Sequence, residues 1–275
     1  MEHRILGRTG LRVSVVGFGG IPIRHVPEKE AIDVINRAID LRINLFHTSY
    51  GPQGYGDSAV KIGKVMKKRR DECILNVKIF GETRERAEWE LKKSLEMLNT
   101  DRVEIVQFRI TEKLFSQGMG EAGGFQALRE AQKKGIVDHI GITDHDPKFL
   151  AKAIAGGEFS NLIVPFNYVY NGAREELIQL AQKMNVGIVA MKPLGGSKAE
   201  GPLKNVSEAL NYIWGHGVPT AIVGMRSVKE AEENARIGQK ARPLTREQLE
   251  NLEAIAKELR RKYRVSNGAL LPLES

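Results

Sequence analysis

Three side chains that can act on a bound molecule lie at or near the ends of short apolar runs: His47, Lys78 and Arg109. Histidine titrates near neutral pH and can serve as a general base. Lysine is seldom fully buried unless it is paired, so Lys78 is either a site residue or a structural lysine whose amine reaches solvent. Arginine stays a cation with a fixed fork of donors. Together these residues predict a cationic pocket that favours anionic groups.

The elements around these residues are short apolar runs that alternate with longer segments of helical period, such as 85–97 and 173–184. This alternation is typical of repeated βα units and a parallel sheet. Eight such units fit a (β/α)8 barrel of the α/β class better than an open doubly wound sheet. The predicted strands cover residues 13–18, 43–46, 73–79, 103–108, 137–142, 162–164, 187–191 and 220–223.

Both ends of the chain predict additions to the barrel. Residues 4–12, with a turn between short apolar pieces, predict an N-terminal hairpin that closes the barrel bottom. An extra C-terminal helix from Thr245 to about Tyr263 is expected to pack across the barrel and to leave a short flexible end. We expect a single domain over residues 1–275. Because barrel sites lie at the C-terminal strand ends, the polar strand ends should meet at one mouth.

Two glycine-rich segments are expected to shape that mouth. Residues 16–20 superficially match a dinucleotide fingerprint, but Pro22 stands where its third glycine should be, so a tight turn is favoured. Residues 111–124 predict a long loop after the fourth strand that controls substrate access, although a plain surface connection fits nearly as well. Phe115 and Met119 are its apolar residues expected to contact a ligand.

Composition narrows the class of protein. Cys73 is the single cysteine, which excludes an internal disulfide and suits a reducing compartment. The net charge of +8 has its densest basic run at residues 67–70, interpreted as a solvated helix end rather than a phosphate site. The sequence contains no nucleic-acid module, apolar signal region or run long enough to span a membrane. These observations predict a soluble cytoplasmic protein with no nucleic-acid or membrane partner.

Several segments resemble those of the aldo-keto reductases, and they occur in the same order along the chain. Residues 6–11 resemble the family's opening, and residues 46–58 resemble its catalytic stretch. Residues 141–145 are similar to a Gly-x-Ser-Asn-His signature, and 222–234 resemble the segment for adenosine phosphate and adenine. The resemblance spans nearly the whole chain and implies oxidoreduction with a nicotinamide cofactor in a barrel of this kind.

The family's catalytic set of Asp, Tyr, Lys and His is only partly kept. Tyr55 matches the proton-donating tyrosine, and Lys78 matches the lysine that lowers the pKa of that tyrosine. His47 stands where the family carries aspartate, and Arg109 stands where it carries histidine. Tyr50 stays an alternative to Tyr55, because the alignment needs a short insertion that the turn at residues 51–54 would absorb. The resemblance therefore implies a divergent member with an altered catalytic set.

The cofactor segments match the family better. The resemblance implies NADP(H), with Arg226 as the phosphate anchor beside a helix N-terminus that begins near Ser227. It implies no metal site. The residues that it assigns to the cofactor are Gly19, Thr143, Asp144, Lys192, Pro193, Leu194, Gly195, Arg226, Ser227, Glu233 and Asn234.

The leading functional hypothesis is an NADP(H)-dependent oxidoreductase that acts on a small carbonyl compound, with anionic compounds favoured by the cationic pocket. In it Tyr55 donates the proton, and Arg109 orients a carboxylate or phosphate of the substrate. The alternative is a barrel that has left reductase chemistry. It would be a cofactor-sensing or interaction module, or a redox-neutral lyase or isomerase with His47 as base. The sequence does not indicate the substrate, the hydride direction or the oligomeric state.

Overall fold

The computed structural model of the chain describes residues 1–51, 54–196, 203–242, 244–266 and 269–272. Within these residues, eight parallel strands close into a barrel in the order β10-β3-β4-β5-β6-β7-β8-β9, which confirms the (β/α)8 architecture. An antiparallel hairpin of β1 (His3–Ile5) and β2 (Arg12–Ser14) precedes it. The barrel strands are β3 (Val16–Gly19), β4 (Leu45–Ser49), β5 (Ile74–Ile79), β6 (Val103–Arg109), β7 (Val137–Thr143), β8 (Asn161–Pro165), β9 (Gly187–Met191) and β10 (Thr220–Gly224).

Helical segments follow every barrel strand, as the alternating pattern predicts, and their apolar faces pack on the outside of the barrel. In α3, for example, the side chain of Thr83 caps the first turn and Asn99 ends the helix in the left-handed region at φ 50°. The helices are α1 (Glu28–Asp40), α2 (Ser58–Arg69), α3 (Arg84–Leu98), α4 (Glu112–Met119), α5 (Gly124–Lys133), α6 (Pro147–Ala155), α7 (Gln179–Lys183), α8 (Val206–Gly215), α9 (Val228–Gln239) and α10 (Arg246–Lys262).

The barrel interior differs in character between its two ends. A buried apolar cluster joins Leu6 and Val13 of the hairpin segment to inward-facing residues such as Leu45 at the start of β4. The N-terminal hairpin therefore closes the barrel bottom, as predicted. Farther along the strands the buried interior becomes polar, with His47 and Asn76 opposite each other in register on β4 and β5. The polar end is the mouth at which a site is expected.

One predicted strand and one predicted helix have bounds that differ from the prediction. The segment 13–18 is not one strand: Val13 pairs with Arg4 in the hairpin, and the barrel strand starts at Val16. The backbone N–H of Ser14 donates to the Asn44 side chain at 2.8 Å, which marks the point where the chain leaves the hairpin. The helix predicted over 173–184 begins with a π-helical segment, Arg174–Ile178, before α7.

The prediction of a glycine-rich loop over 111–124 was wrong. This segment contains α4, and Phe115 on that helix packs edge-on against Phe149 with ring centroids 5.3 Å apart. Met119 also packs against the main core, and neither side chain lines the pocket at the mouth of the barrel. Burial of this apolar face outweighs the weak helix propensity of the glycines.

The flexible end predicted after the last helix was also wrong for the residues that the structure describes. The chain continues from α10 into a second antiparallel hairpin, β11 (Tyr263–Ser266) and β12 (Ala269–Pro272). Ala269 and Leu270 are buried, and the N–H of Leu270 donates to the carbonyl of Gly195 at 2.8 Å. The buried residues and the hydrogen bond to the loop that follows β9 stabilise this hairpin against the barrel.

The basic run at the end of α2 is paired with carboxylates. Arg69 contacts Asp40 and Glu72, each at 2.7 Å, and Arg70 contacts Glu104 at 2.8 Å. These ion pairs support a structural role for the run. Among the described residues, no helix is long and apolar enough to cross a membrane.

Candidate active site

His47 and Tyr55 form a buried pair at the mouth of the barrel. His47 lies on β4, and the chain returns from the following loop so that the Tyr55 hydroxyl is 3.0 Å from Nε2 of His47. Their exposed fractions are only 7% and 3%. The other catalytic candidate, Tyr50, packs its ring against Trp89 instead. The geometry thus brings Tyr55, and not Tyr50, into contact with His47; Pro52 and Gln53 of the intervening turn lie outside the described residues.

The residues after Tyr55 begin the next helix without a side-chain cap. Asp57 occupies the N-cap position of α2, but its side chain makes no capping hydrogen bond and pairs instead with Lys61 at 2.9 Å. The hydroxyls of Ser58 and Thr48 lie 2.8 Å apart, which ties the start of α2 to β4. This link fixes the loop that carries Tyr55 relative to the strand that carries His47.

Burial determines the protonation of this pair. Loss of solvent, followed by the charge of Lys78, lowers the pKa of His47 to about 3, and neighbouring Asn76 offsets this only in part. Burial alone raises the pKa of the Tyr55 hydroxyl above its ordinary value. Both groups are therefore uncharged at neutral pH, and a hydrogen bond between neutral partners joins them. A His47 with this pKa is a poor base near pH 7, which argues against the lyase hypothesis.

Lys78 is the penultimate residue of β5, and its amine lies over the ring of Tyr55. Its Nζ lies 4.5 Å from the centre of the Tyr55 ring and 4.7 Å from that of Phe80. Burial, then the charges of Arg109 and Lys192, lower the pKa of Lys78 to about 7, while Glu90 opposes the shift. Lys78 therefore exchanges a proton near neutral pH, beside the ring of Tyr55.

Arg109 at the end of β6 and Asp144, the residue after β7, bind each other. The guanidinium of Arg109 donates to a carboxylate oxygen of Asp144, and the second oxygen accepts the N–H of Asp146 at 2.8 Å. Asp144 is 8% exposed. Thr143, the preceding residue, donates its hydroxyl to the carbonyl of Ile163 at 3.1 Å. Arg109 and Asp144 were predicted as separate site residues, and their pairing was not predicted.

The mouth also holds a concentration of cationic groups. Burial, then Arg109, lowers the pKa of Lys192 to about 8. Burial, followed by Lys192, Arg109 and Lys78 in that order, lowers the pKa of His145 to about 3. The lowered pKa values of these residues mean that they lie within one another's positive field.

A pocket opens beside the His47–Tyr55 pair, between β3 and β10. Its floor is glycine: a Cβ at Gly20 would lie 2.9 Å from the carbonyl oxygen of His47, so only glycine leaves room there. Lys192 takes a left-handed φ of 56° to turn the loop after β9 over this pocket. The pocket is lined by Gly19, Gly20, Ile21, Pro22, His47, Tyr55, Met191, Lys192, Pro193, Leu194, Gly196, Ile222, Val223 and Gly224.

The predicted adenosine segment lies directly after β10. Ser227 caps α9, and its hydroxyl accepts the N–H of Glu230 at 3.2 Å. Arg226 and Glu233 are exposed, whereas Asn234 is buried. Glu230, which the sequence analysis did not select, forms an ion pair with Arg226 at 3.1 Å. Its spacing of four residues from Arg226 was the available signal.

Of the predicted cofactor residues, Gly19, Lys192, Pro193 and Leu194 line the pocket, while Thr143 and Asp144 lie at the end of β7 beside Arg109. Gly195 turns the loop between Lys192 and the C-terminal hairpin. Within the described residues, no group of three or more His, Cys, Asp or Glu side chains is arranged to hold a metal ion.

A parallel barrel with a tyrosine, a lysine and a glycine-floored pocket at its mouth fits an oxidoreductase of the nicotinamide-dependent barrel class.

Comparison with known proteins defines the family. The model of the aldo/keto reductase family matches residues 15–208, and the chain therefore belongs to this family of oxidoreductases. It is 26% identical over 283 residues to L-galactose dehydrogenase of Arabidopsis thaliana, covering 85% of this chain and 87% of that protein.

Solved structures agree in fold. The holo form of an aldo-keto reductase from Bacillus halodurans has a TM-score of 0.77 at 21% identity, covering 92% of this chain and 96% of that one. An aldo/keto reductase from Klebsiella pneumoniae in complex with NADP and acetate has a TM-score of 0.74 at 15% identity, covering 93% and 96%. At these identities the likeness establishes the barrel fold.

Proposed function

We propose that the protein is an NADP(H)-dependent oxidoreductase that acts on a small carbonyl compound bearing an anionic group. The observation that carries this proposal is Tyr55 at the pocket wall, with its hydroxyl 3.0 Å from His47 and its ring beside the Lys78 amine. Family membership supports the reaction class, and the neighbour in complex with NADP supports the cofactor. A location in the cytoplasm and a single-domain organisation remain predictions from the sequence.

The residues present fit a nicotinamide cofactor. The pocket runs from Gly20, where the backbone packs too closely against β4 for a side chain, to Leu194 and Gly224 next to the adenosine segment. Gly19, Lys192, Pro193, Leu194 and Gly195 would hold the middle of the cofactor. The remaining contacts would come from Thr143 and Asp144 at one end and from Arg226, Ser227, Glu233 and Asn234 at the other.

When bound, the cofactor supplies the hydride that reduces the carbonyl carbon. Tyr55 then donates its proton to the carbonyl oxygen, because the alkoxide that develops there is far more basic than tyrosinate. The hydrogen bond to neutral His47 holds the Tyr55 hydroxyl in position. Lys78, when protonated, stabilises the tyrosinate that remains and is the adjacent group able to exchange a proton near pH 7.

The preference for an anionic substrate follows from the charges at the mouth. Arg109 lowers the pKa values of Lys78 and Lys192, and Lys192 also lowers that of Lys78, so an anion that enters relieves their repulsion. Asp144 neutralises Arg109 in part, so Arg109 contributes less to this attraction than a full positive charge would. Carbonyl compounds with a carboxylate or phosphate group are therefore the substrates to test first.

The test combines cofactor binding with a substrate panel. Purified protein is titrated with NADPH and then assayed for NADPH oxidation with neutral and acidic aldehydes and ketones. We expect turnover with acidic members, lost by roughly a hundredfold or more in Tyr55→Phe and kept in Tyr50→Phe. Binding of NADPH without turnover on any compound of the panel would refute the proposed reaction. Equal activity of Tyr55→Phe and the unaltered protein would refute the role of Tyr55.

A further inference from the structure

Glu230 contacts Arg226, the residue proposed to anchor a phosphate of the cofactor. Its Oε2 accepts the backbone N–H of Arg226 at 2.7 Å, and its Oε1 accepts the Nε and Nη2 of the same guanidinium at 3.3 and 3.1 Å. Its own N–H donates to the capping hydroxyl of Ser227 at 3.2 Å. A carboxylate thus already binds several of the donors that an anion at the start of α9 would use.

This arrangement bears on the two forms of the cofactor, which differ only in a phosphate on the adenosine ribose. A phosphate dianion that binds Arg226 must either displace the carboxylate or lie beside it, and like charges at such a distance repel. A ribose hydroxyl has no such conflict, because it can donate a hydrogen bond to a carboxylate, as acidic residues do in sites for NAD. Glu230 therefore opposes the phosphorylated form and suits the unphosphorylated one.

The surrounding charges do not remove this effect. Lys229 is 4.0 Å from Glu233, and Arg37 is 2.8 Å from Glu232, so each of these cations faces another carboxylate. The side chains of Arg226 and Glu230 are 47% and 33% exposed, which leaves them free to rearrange. The repulsion should thus weaken binding of the phosphate without forbidding it.

We propose that Glu230 is a specificity-determining residue that cancels the preference for NADP(H), so that the protein binds NAD(H) with comparable affinity. The inference rests on the proposed function, since it requires a nicotinamide dinucleotide at Arg226. It also makes the carboxylate at residue 230, rather than the arginine, the residue that sets cofactor choice.

The test measures binding by calorimetry and needs no substrate. NADPH, NADH, 2′,5′-ADP and 5′-AMP are titrated into the unaltered protein, Glu230→Gln and Glu232→Gln. The last variant removes the same charge from the same helix without touching Arg226. We expect the unaltered protein to bind NADPH and NADH within about tenfold of each other. Glu230→Gln should bind NADPH and 2′,5′-ADP about tenfold more tightly, with NADH and 5′-AMP unchanged.

Several outcomes would overturn the inference. One is an unaltered protein that binds NADPH about a hundredfold more tightly than NADH. Another is a Glu230→Gln variant whose ratio of affinities equals that of Glu232→Gln. Failure of all three folded proteins, checked by thermal melting, to bind either dinucleotide would overturn the proposed function together with this inference. Binding with an unchanged ratio would overturn the inference alone.

Discussion

The guanidinium of Arg109 donates to the carboxylate of Asp144 across neighbouring strands of the barrel. The end of β6 and the residue after β7 are thereby one unit, in which the cation of Arg109 is balanced by the anion of Asp144. Arg109 is thus partly neutralised before any substrate arrives, and its positive charge is weaker at the mouth than the sequence alone suggests.

Removal of one partner of this pair should destabilise the fold. Asp144 is 8% exposed, so Arg109→Met leaves a buried carboxylate without its cation, at a cost of about 3 kcal/mol in the free energy of unfolding. Denaturant unfolding at neutral pH measures it. The double variant Arg109→Met/Asp144→Asn should recover most of the loss, because no charge then lacks a partner. A double variant as unstable as the single one would show that packing, and not charge, stabilises the contact between the ends of β6 and β7.

Lys78 should make stability depend on pH in a defined direction. Its pKa is about 7 in the folded protein against an ordinary 10.5, so between these values the unfolded chain binds more protons. The free energy of unfolding should therefore rise as pH increases from 7 towards 10, by at most about 1.4 kcal/mol per pH unit.

Lys78→Met is the control for this prediction. Lys192, whose pKa is also lowered, contributes to the slope in both proteins, so the difference between their slopes isolates Lys78. Urea unfolding at several pH values provides the comparison. Parallel curves for the two proteins would mean that the amine stays charged in the fold.

The glycine floor of the pocket should not accept a methyl group. In Gly20→Ala the new Cβ would lie 2.9 Å from the His47 carbonyl oxygen and 3.2 Å from the Ser58 hydroxyl, so the backbone must shift. We expect a loss of about 1–3 kcal/mol in unfolding free energy and weaker dinucleotide binding. Gly215→Ala is the matched control, since nothing lies within 4 Å of its Cβ at the end of α8. It should leave stability unchanged or raise it by about 0.5–1 kcal/mol.

A carboxylate introduced beside Lys78 should change the protonation of the lysine. In His47→Asp the new anion favours the charged amine, so the pKa of Lys78 should rise well above 7. If protonated Lys78 stabilises tyrosinate, the decline of the reduction rate at alkaline pH should move to higher pH in the variant. Steady-state rates from pH 6 to 10 test this. His47→Asn, which adds no charge, should not produce the shift.

Much of the fold was predictable from the sequence because strand and helix periods alternate so regularly. The barrel, its bottom hairpin and the extra helix α10 were found this way. The helix α4 and the hairpin β11–β12 were missed because their stability comes from burial of apolar faces against distant parts of the chain. Local composition, rich in glycine or close to the chain end, pointed the other way in both places.

The sequence predicted that the candidate catalytic residues meet at one mouth of the barrel, but it did not predict all of the contacts between them. His47, Tyr55, Lys78 and Arg109 do converge at one mouth, since parallel strands bring their ends together. The Arg109–Asp144 pair depends on strand register, with Arg109 level with Thr143, which a single sequence does not reveal. The Arg226–Glu230 pair, by contrast, follows from helical spacing and was open to prediction.

The hydrogen bond from Leu270 to Gly195 has a practical consequence for handling the protein. It ties the last described strand to the loop over the pocket, whereas the N-terminal hairpin lies at the opposite end of the barrel. A fluorescent label or an immobilisation point on this strand would therefore lie beside the loop over the pocket. For purification, immobilisation or labelling, the amino terminus is the better point of attachment.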